Sequence, residues 1–352
     1  MSTLYVGSYS PPQNDGIHVF HFDGKDASLH PLQSVSTLGN PSFLCLSPNK
    51  KFLYAVNELS EKTGGGQLSA YAIEETTGKL RFLNSRPSHG NHPCHVSLSQ
   101  NGRYLFAANY GSPTTCIYPI ATDGSIGENA LVQSYTGSGP NKDRQSSPHP
   151  HCILQYPNSN FVYVSDLGSD SIHRIDLSSA QSTQQPPEIA YQAVPGAGPR
   201  HLCFHPTRPF LYLTTELSNT VCTLKVDQSN GHLREIARDH LLPQDTPGPN
   251  NSADIKCHPN GKHLYVSVRG HDSIVQFKIN RSSGRLSHAA TTRTLGRIPR
   301  NFTIHPQGKF LVVGNQRSND IRAFEIDPQT GHLQATGIST EVRNPSCHVF
   351  RA

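Results

Sequence analysis

Hydrophobic and polar residues alternate in short runs that recur along the whole chain. Residues 196–219 show the unit: two β-type runs, at 202–204 and 210–213, separated by a turn-forming loop that contains two prolines. Antiparallel pairing of these runs would bring Arg200, which precedes the first run, and Glu216, which follows the second, to one edge of the sheet. The pattern predicts a hairpin whose open end joins opposite charges.

The same unit returns at intervals of about fifty residues, which is a propeller-type period. The first strands begin near Pro41, Pro93, Pro150, Pro199, Ser252, Pro299 and Pro345. After each of the first six starts come a turn, a second strand and, further on, an alternating third strand. Glycine turns such as Asn230-Gly231 and Ser283-Gly284 then lead to polar outer strands. Each repeat is therefore predicted to be a four-stranded meander.

The two ends of the chain complement each other. Residues 4–9 match a second strand, whereas residues 345–350 supply a first strand. Their pairing would complete one blade and remove the last open edge. We therefore predict an all-β fold, a seven-bladed β-propeller of four-stranded antiparallel blades closed by the N-terminal and C-terminal strands. Because the repeats run from end to end, we expect a single domain over residues 1–352.

Composition narrows the classes of function. The net charge of +5 is modest and its basic residues are scattered, which does not indicate nucleic-acid binding but leaves small anions possible. The eight cysteines stand singly and are typical of buried thiols. The chain lacks a signal-peptide pattern and an apolar run of membrane-spanning length, so we expect a cytoplasmic protein that binds no membrane. A closed propeller needs no partner strand, so a monomer is expected.

Two insertions, at residues 137–150 and 242–251, precede first strands and should crowd the rim that carries Arg200 and Glu216. Long loops on one face of a rigid scaffold usually form the site. In propellers the first strands line the central channel, so residues at equivalent positions meet around its mouth. The starts of the first strands carry Ser42, Cys94, His151, Arg200, Ala253, Arg300 and Ser346, and the next positions carry Phe43, His95, Cys152, His201, Asp254, Asn301 and Cys347. The ends of the second strands carry Asn57, Glu58, Asn109, Tyr110, Asp166, Glu216, Arg269, Asn315 and Gln316.

These positions differ from blade to blade, and variation within a fixed frame indicates a site. Arg200, Arg269 and Arg300, with Arg144 on the first insertion, suit phosphate or carboxylate recognition because a guanidinium matches both geometries. Glu216 or His151 could act as a general base. The alternatives are structural: the Arg200–Glu216 pair could merely satisfy buried strand ends, and His95 and His201 could bind a neighbouring blade.

Several familiar chemistries are not indicated. The chain has no G-x-S-x-G, H-E-x-x-H, P-loop or dinucleotide motif, and no cofactor is expected. Glu58, Asp166, Asp254 and Glu216 could supply oxygen ligands to a hard cation. Arginines at the same mouth oppose a divalent ion, so we predict no metal.

The segments GAGPRHLCFHPTRPFLYLTTELSNTV, ADIKCHPNGKHLYVSVRGHDSI and PRNFTIHPQGKFLVVGNQRSNDI resemble the propeller-type 6-phosphogluconolactonases of bacteria. That family also includes fungal 3-carboxy-cis,cis-muconate lactonizing enzymes, and the resemblance covers essentially the whole chain. It implies a seven-bladed propeller with functional residues around the channel mouth. By motif, the histidine, two arginines and glutamate proposed for the muconate branch correspond to His151, Arg200, Arg269 and Glu216.

The resemblance favours hydrolysis of 6-phospho-D-glucono-1,5-lactone to 6-phosphogluconate in the pentose phosphate pathway. Arg200 and Arg269 would hold the phosphate or the oxyanion, and Glu216 or His151 would take the proton of the attacking water. Binding of the anionic sugar lactone is expected to involve Arg144, His201, Arg300, Asn109, Asn315 and Gln316. The alternatives are a muconate-type lactonizing cycloisomerase and a non-catalytic binding scaffold, because one fold hosts many functions.

Overall fold

A computed structural model describes residues 2–178 and 187–352. The strands nearest the channel are β4 (Leu44–Leu46), β8 (Pro93–Leu98), β12 (Pro150–Gln155), β16 (Pro199–Phe204), β20 (Asn251–Cys257), β24 (Pro299–Ile304) and β28 (Pro345–Arg351). The second strands are β1 (Ser2–Ser8), β5 (Phe52–Asn57), β9 (Tyr104–Asn109), β13 (Phe161–Asp166), β17 (Phe210–Thr215), β21 (His263–Arg269) and β25 (Phe310–Asn315).

The two outer layers complete each sheet. The third strands are β2 (Asp15–Phe22), β6 (Gln67–Ile73), β10 (Thr114–Pro119), β14 (Ser171–Asp176), β18 (Thr220–Val226), β22 (Ser273–Ile279) and β26 (Asp320–Ile326). The outermost are β3 (Leu29–Ser36), β7 (Leu80–Pro87), β11 (Leu131–Ser134), β15 (Glu188–Gln192), β19 (Leu233–His240), β23 (Leu286–Arg293) and β27 (Leu333–Glu341). A single turn of 3₁₀ helix covers Glu61–Thr63. Within the described ranges, no helix is long and apolar enough to cross a membrane.

These strands form seven four-stranded antiparallel blades, as the repeats predict. Blade I is β28-β1-β2-β3, and blades II to VII take β4–β7, β8–β11, β12–β15, β16–β19, β20–β23 and β24–β27 in chain order. The innermost strands neighbour one another in a closed cycle that returns from β28 to β4. In blade I, β28 pairs with β1, for example Tyr5 with Val349. The predicted closure by the two ends of the chain is confirmed.

The hydrophobic core is divided into clusters that each lie between two neighbouring blades, because strands that alternate apolar residues on both faces must bury both. One cluster joins Leu211 and Leu213 of blade V to Tyr163 and Ile172 of blade IV. Burial between blades therefore holds each second strand rigidly, and the second strands end at the mouth of the channel.

A repeated tyrosine fastens one blade to the next. The hydroxyl of Tyr163 in blade IV donates to the carbonyl of Gly231, 2.7 Å away in blade V, where a positive φ of 72° favours glycine. The same bond occurs at Tyr5, Tyr54, Tyr212 and Tyr265. Phe106 and Val312 hold the equivalent positions in the remaining blades, since both lie one residue after the leucine of the repeat. This tyrosine position gives a fixed reference for comparing blades.

Histidines fasten the opposite face. The turns after β16 and β20 place His205 Nε2 on the Gly261 carbonyl and His258 Nε2 on the Gly308 carbonyl, at 3.0 and 2.9 Å. In each ring Nδ1 accepts a backbone N–H two residues on, so Nε2 carries the proton that is donated. These histidines belong to the scaffold.

Candidate active site

Counting from the repeated tyrosine position shows which residues reach the channel mouth. The residue three places after it is buried in every blade: Ser8, Asn57, Asn109, Asp166, Thr215, Val268 and Asn315. The residue four places after it is Tyr9, Glu58, Tyr110, Leu167, Glu216, Arg269 or Gln316. Most of this second set contact one another or the first-strand starts around the mouth. Because successive side chains of a strand point to opposite faces, a shift of one residue determines whether a side chain is buried or reaches the site.

Glu216 is the centre of an arginine cluster. Its Oε2 lies 2.8 Å from Arg200 Nε and 3.0 Å from Arg269 Nη2, and its Oε1 lies 2.7 Å from Arg144 Nη2. Arg200 and Glu216 therefore meet at the open end of the hairpin, as the sequence pattern predicts. Glu216 is only 4% exposed, and both of its carboxylate oxygens are occupied. A single buried negative charge thus positions three guanidinium groups.

Burial alone would raise the pKa of Glu216, but the attraction of Arg269, Arg200 and the other nearby cations outweighs it and holds the pKa well below its usual value. Burial also lowers the pKa of Arg269 to about 10, against the attraction of Glu216. Both groups stay charged at neutral pH. The cluster carries more positive than negative charge, which suits an anionic ligand or a developing oxyanion.

The three arginines differ in what they can offer a ligand. The side chain of Arg200 is 2% exposed and also donates from Nη1 to the Ala253 carbonyl at 2.7 Å, so it is enclosed. Arg269 donates to the backbone carbonyls of Asn251 and Ser252 at the end of the second insertion. Arg144 is 37% exposed and has the most accessible guanidinium. The sequence suggests that Arg200 contacts the anion directly. In the structure Arg200 lies too deep for that contact and instead supports Glu216.

The first insertion is held so that Arg144 reaches the cluster. Its neighbour Gln145 is fully buried and donates from Nε2 to the Leu167 carbonyl and to Asp170 Oδ1. Asp170 in turn accepts the backbone N–H groups of Gly196 and Gly198. Arg144 Nη2 also lies 3.1 Å from the Tyr110 hydroxyl. The insertion is thus packed against blade IV and delivers Arg144 across the mouth.

His151 lies beside this cluster at the start of β12. Its Nδ1 is 3.7 Å from Cys94 Sγ, and its Nε2 has no hydrogen-bond partner among the described residues. Tyr110 meets the ring edge-on, and Tyr110 itself stacks on His149 at 4.7 Å. Burial, followed by repulsion from Arg200, lowers the pKa of His151 well below its usual value. A neutral imidazole with a free nitrogen can accept a proton from water.

A second carboxylate lies across the mouth. Glu58 Oε2 accepts hydrogen bonds from the Tyr9 hydroxyl, at 2.8 Å, and from the Ser42 hydroxyl. The guanidinium of Arg300 lies over the Tyr9 ring, 5.3 Å from its centroid. Burial opposes the charge of Arg300, but Tyr9, Glu58 and Glu216 raise its pKa. In the described part of the chain, no hydrogen-bond acceptor contacts this guanidinium, so its donors are free to bind a ligand.

Three residues expected to bind substrate have other surroundings. Asn109 and Asn315 are fully buried, and their Nδ2 atoms donate to the Ser88 and Thr294 carbonyls of the preceding loops. They support the loops, so the expected contact with sugar hydroxyls is not compatible with their positions. His201 is buried one layer below the mouth, where its Nδ1 donates to Asp254. Gln316 is half-buried and, within the described residues, its side-chain amide makes no hydrogen bond.

The mouth also contains Tyr9, which the sequence analysis does not select, and Ser42 and Glu58, which it places at the mouth but does not count among the substrate-binding residues. Tyr9 and Glu58 occupy the same repeat position as Glu216, four residues after the tyrosine, so an alignment on that tyrosine would also have found Tyr9. Ser42 is the blade II counterpart of Arg200. Among the described residues, no group of three or more His, Cys, Asp or Glu side chains is arranged to hold a metal ion.

A model of the family described as "Lactonase, 7-bladed beta-propeller" matches residues 3–350. The chain therefore belongs to the lactonase family of seven-bladed β-propellers. The 6-phosphogluconolactonase of Bacillus subtilis (strain 168) is 34% identical over 346 residues, covering 98% of this chain and 97% of that protein. The 6-phosphogluconolactonase of Formosa agariphila is 37% identical over 336 residues and 94% of each chain.

Solved structures agree with this assignment. The periplasmic gluconolactonase of Pseudomonas aeruginosa superposes with a TM-score of 0.92 at 32% identity, covering 100% of this chain and 99% of that one. Relatives of this fold thus include proteins named for phosphorylated and for unphosphorylated sugar lactones. The chemistry at the mouth must distinguish between them.

Proposed function

We propose that this protein hydrolyses 6-phospho-D-glucono-1,5-lactone to 6-phosphogluconate, the lactonase step of the pentose phosphate pathway. The observation that carries the proposal is a channel mouth in which three arginines share one glutamate beside a neutral histidine, with a fourth arginine free of hydrogen bonds. The names of the two most similar relatives described above support the same substrate.

The reaction adds water to the lactone carbonyl and then breaks the bond between that carbon and the ring oxygen. His151 Nε2 takes the proton from the water as the new C–O bond forms, and returns it to the ring oxygen as that oxygen leaves as a hydroxyl. Arg269 and Arg144 stabilise the negative charge that develops on the carbonyl oxygen. The acid that is formed then ionises to the carboxylate.

Glu216 is poorly suited to be the base. Both carboxylate oxygens are already occupied by guanidinium groups, so Glu216 has no free oxygen with which to take a proton from water. Its proposed part is to hold Arg144, Arg200 and Arg269 in place before the substrate arrives. Of the two candidate bases that the sequence suggests, the geometry favours His151.

Arg300 is the proposed phosphate ligand. Its donors are free, it lies across the mouth from His151, and a guanidinium binds phosphate through paired hydrogen bonds. Glu58 and Gln316, on the same side, offer an acceptor and an amide to the sugar hydroxyls. This orientation puts the carbonyl of the lactone at the Glu216 cluster and the phosphate on the opposite side.

A coupled assay tests the proposal. Glucose-6-phosphate dehydrogenase generates the lactone, and 6-phosphogluconate dehydrogenase reports its hydrolysis as NADPH. We expect acceleration above spontaneous hydrolysis, and a larger kcat/KM for the phosphorylated lactone than for glucono-1,5-lactone. No acceleration with either lactone would overturn the proposal and turn attention to muconate cycloisomerisation and to a scaffold role. Cytoplasmic location and a monomeric state stay predictions.

A further inference from the structure

Several of the innermost strands carry a β-bulge where they reach the mouth. In blades III, IV and V the pairing of the first strand with the second skips one residue, which is Cys94, His151 and Arg200 respectively. A bulge residue has no counterpart on the neighbouring strand, and bulges next to active sites re-aim side chains. Cys94 and His151 therefore hold the same structural position in two neighbouring blades.

Three successive backbone carbonyls at this position accept a hydrogen bond from a side chain of the preceding blade. The Arg200 carbonyl accepts from Ser165 Oγ of blade IV at 2.5 Å. The carbonyl of Ala253, the blade VI counterpart, accepts from Arg200 Nη1 at 2.7 Å. In the same way the His151 carbonyl lies 3.5 Å from Cys94 Sγ of blade III. The repeated contact indicates that the thiol of Cys94 donates its hydrogen to this carbonyl.

The sulfur of Cys94 also faces the imidazole of His151. It lies 3.7 Å from Nδ1, which has no other hydrogen-bond partner in the part of the chain that the structure describes. Cys94 is 6% exposed, and burial raises the pKa of its thiol, so the sulfur keeps its single proton. If that proton pointed at Nδ1, the sulfur lone pairs would face the carbonyl oxygens of His151 and Pro150, 3.5 and 3.8 Å away, which can only accept. With the proton on a carbonyl, the sulfur can accept from an Nδ1–H, and all of these contacts are attractive.

The direction of this contact decides which nitrogen of His151 is available for chemistry. Burial and repulsion from Arg200 hold the pKa of His151 well below its usual value, so the ring carries one proton at neutral pH. The nitrogen that carries the proton is set by the hydrogen bond that it makes. If Nδ1 carries the proton, Nε2 keeps the lone pair that a base requires. In the opposite tautomer Nε2 could only donate.

We propose that Cys94 is a positioning residue that holds His151 in the tautomer protonated at Nδ1 and open at Nε2. The part that this tautomer plays in catalysis rests on the proposed function, since it is the form that can take the proton from the attacking water. Cys94 itself forms no bond with the substrate and acts only through His151.

Nitrogen NMR reads the tautomer directly and without substrate. In protein labelled with ¹⁵N-histidine, the signals of His151 are those that disappear in His151→Asn. At neutral pH we expect the wild type to show a protonated Nδ1 and an unprotonated Nε2. Cys94→Ala removes the acceptor of Nδ1–H and should change the tautomer ratio about two- to twelvefold toward the Nε2–H form, the value of one neutral hydrogen bond.

Cys94→Ser is the matched control, because serine differs from alanine only by a hydroxyl that can both donate and accept. It should retain the wild-type tautomer. In the coupled lactone assay, Cys94→Ala should lower kcat about two- to twelvefold with unchanged KM, and Cys94→Ser should recover most of that loss. Thermal unfolding of both variants shows whether they are folded.

A wild-type His151 that is protonated at Nε2 overturns the inference, whatever the variants do. A folded Cys94→Ala that keeps the wild-type tautomer also overturns it, as does a Cys94→Ser that behaves like Cys94→Ala. If Cys94→Ala does not fold, the wild-type spectrum and Cys94→Ser decide. A tautomer that depends on Cys94 in a protein without lactonase activity would support the inference and overturn the proposed function instead.

Discussion

The mouth of the channel has two carboxylates in opposite circumstances. Glu216, on the side formed by blades III to VI, is surrounded by Arg144, Arg200 and Arg269. Glu58, on the side formed by blades I, II and VII, is bonded to two neutral hydroxyl groups. We call these the Glu216 side and the Glu58 side.

The cations follow the reverse pattern. On the Glu216 side each guanidinium already has a carboxylate partner, whereas Arg300 on the Glu58 side lies over the Tyr9 ring without a hydrogen-bond acceptor in the described chain. An arginine that is already paired with a carboxylate is held in a fixed position, which suits the stabilisation of charge that develops during a reaction. An arginine without a hydrogen-bond acceptor gains most from binding a group that is already charged, such as a phosphate. Under the proposed function, this difference would put catalysis on the Glu216 side and phosphate recognition on the Glu58 side.

Removing the Glu216 charge should have the largest effect on the folded protein. Glu216→Gln leaves three buried or half-buried arginines without their counter-charge, and loss of one partner from a buried ion pair costs about 3–5 kcal/mol. Urea unfolding should show this loss, together with a large decrease in kcat. Glu58→Gln is the matched control and should cost about 1 kcal/mol. Equal losses in the two variants would contradict the distinction between the sides.

Replacing His151 should affect turnover more than binding. His151→Asn removes the proposed base and should lower kcat about 10²–10⁴-fold with little change in KM. Thermal unfolding serves as the control for folding. A kcat within tenfold of the wild type would exclude His151 as the base and return Glu216 to consideration.

Arg300 should separate the two sugar lactones. Arg300→Leu should lower kcat/KM for the phosphorylated lactone about 10- to 150-fold, the value of charged hydrogen bonds worth about 1.5–3 kcal/mol. For glucono-1,5-lactone, followed by pH-stat, the change should stay within about threefold. A similar loss of kcat/KM with both lactones would show that Arg300 does not bind the phosphate.

Acid should destabilise the folded protein, because buried histidines lie beneath the mouth. Burial lowers the pKa of His95 and of His348 to about 3, below the value near 6.5 expected in the unfolded chain. The unfolded state therefore binds more protons between these values, so the stability present above pH 6.5 falls as the pH decreases toward 3. Each such histidine contributes a slope of about 1.4 kcal/mol per pH unit. His95→Gln should reduce the slope of unfolding free energy against pH by about that amount; an unchanged slope would contradict this origin.

The tyrosine hydroxyls should have the smallest effects. Tyr9→Phe removes one hydrogen bond to Glu58 and should cost about 1 kcal/mol, while the ring stays under Arg300. Tyr110→Phe removes the contact with Arg144 and should mainly lower kcat. Each variant loses one tyrosine hydroxyl, so measurements of stability and kcat/KM for both variants compare the two sides after equivalent changes. A greater loss of kcat in Tyr9→Phe than in Tyr110→Phe would reverse the assignment.

The fold could be predicted from sequence because each blade repeats the same local physics. Alternating runs define strands, glycine turns define their connections, and the unpaired first strand at the C-terminal end completes blade I. The Arg200–Glu216 contact also follows from one hairpin, since antiparallel register fixes both ends. Contacts within one blade are therefore accessible to reasoning from local patterns.

Contacts between blades are less accessible. Asn109 and Tyr110 are adjacent in sequence, yet one is enclosed and the other lies at the mouth, and only an alignment on the repeated tyrosine separates them. Arg300 meets Tyr9 across the closure of the ring, and Arg144 reaches Glu216 because buried contacts of Gln145 shape its loop. Such placements depend on packing that no single segment encodes.

The seven blades also make the mouth easy to rewrite during evolution. Each blade has the same two positions at or near the mouth, one at the start of its first strand and one four residues after the tyrosine position, and in most blades at least one of them can face a ligand. A point mutation at either position changes the chemistry that a ligand meets without altering strand pairing. The equivalent positions around the mouth can vary independently of the scaffold, so proteins of this fold can acquire new substrate preferences through few substitutions.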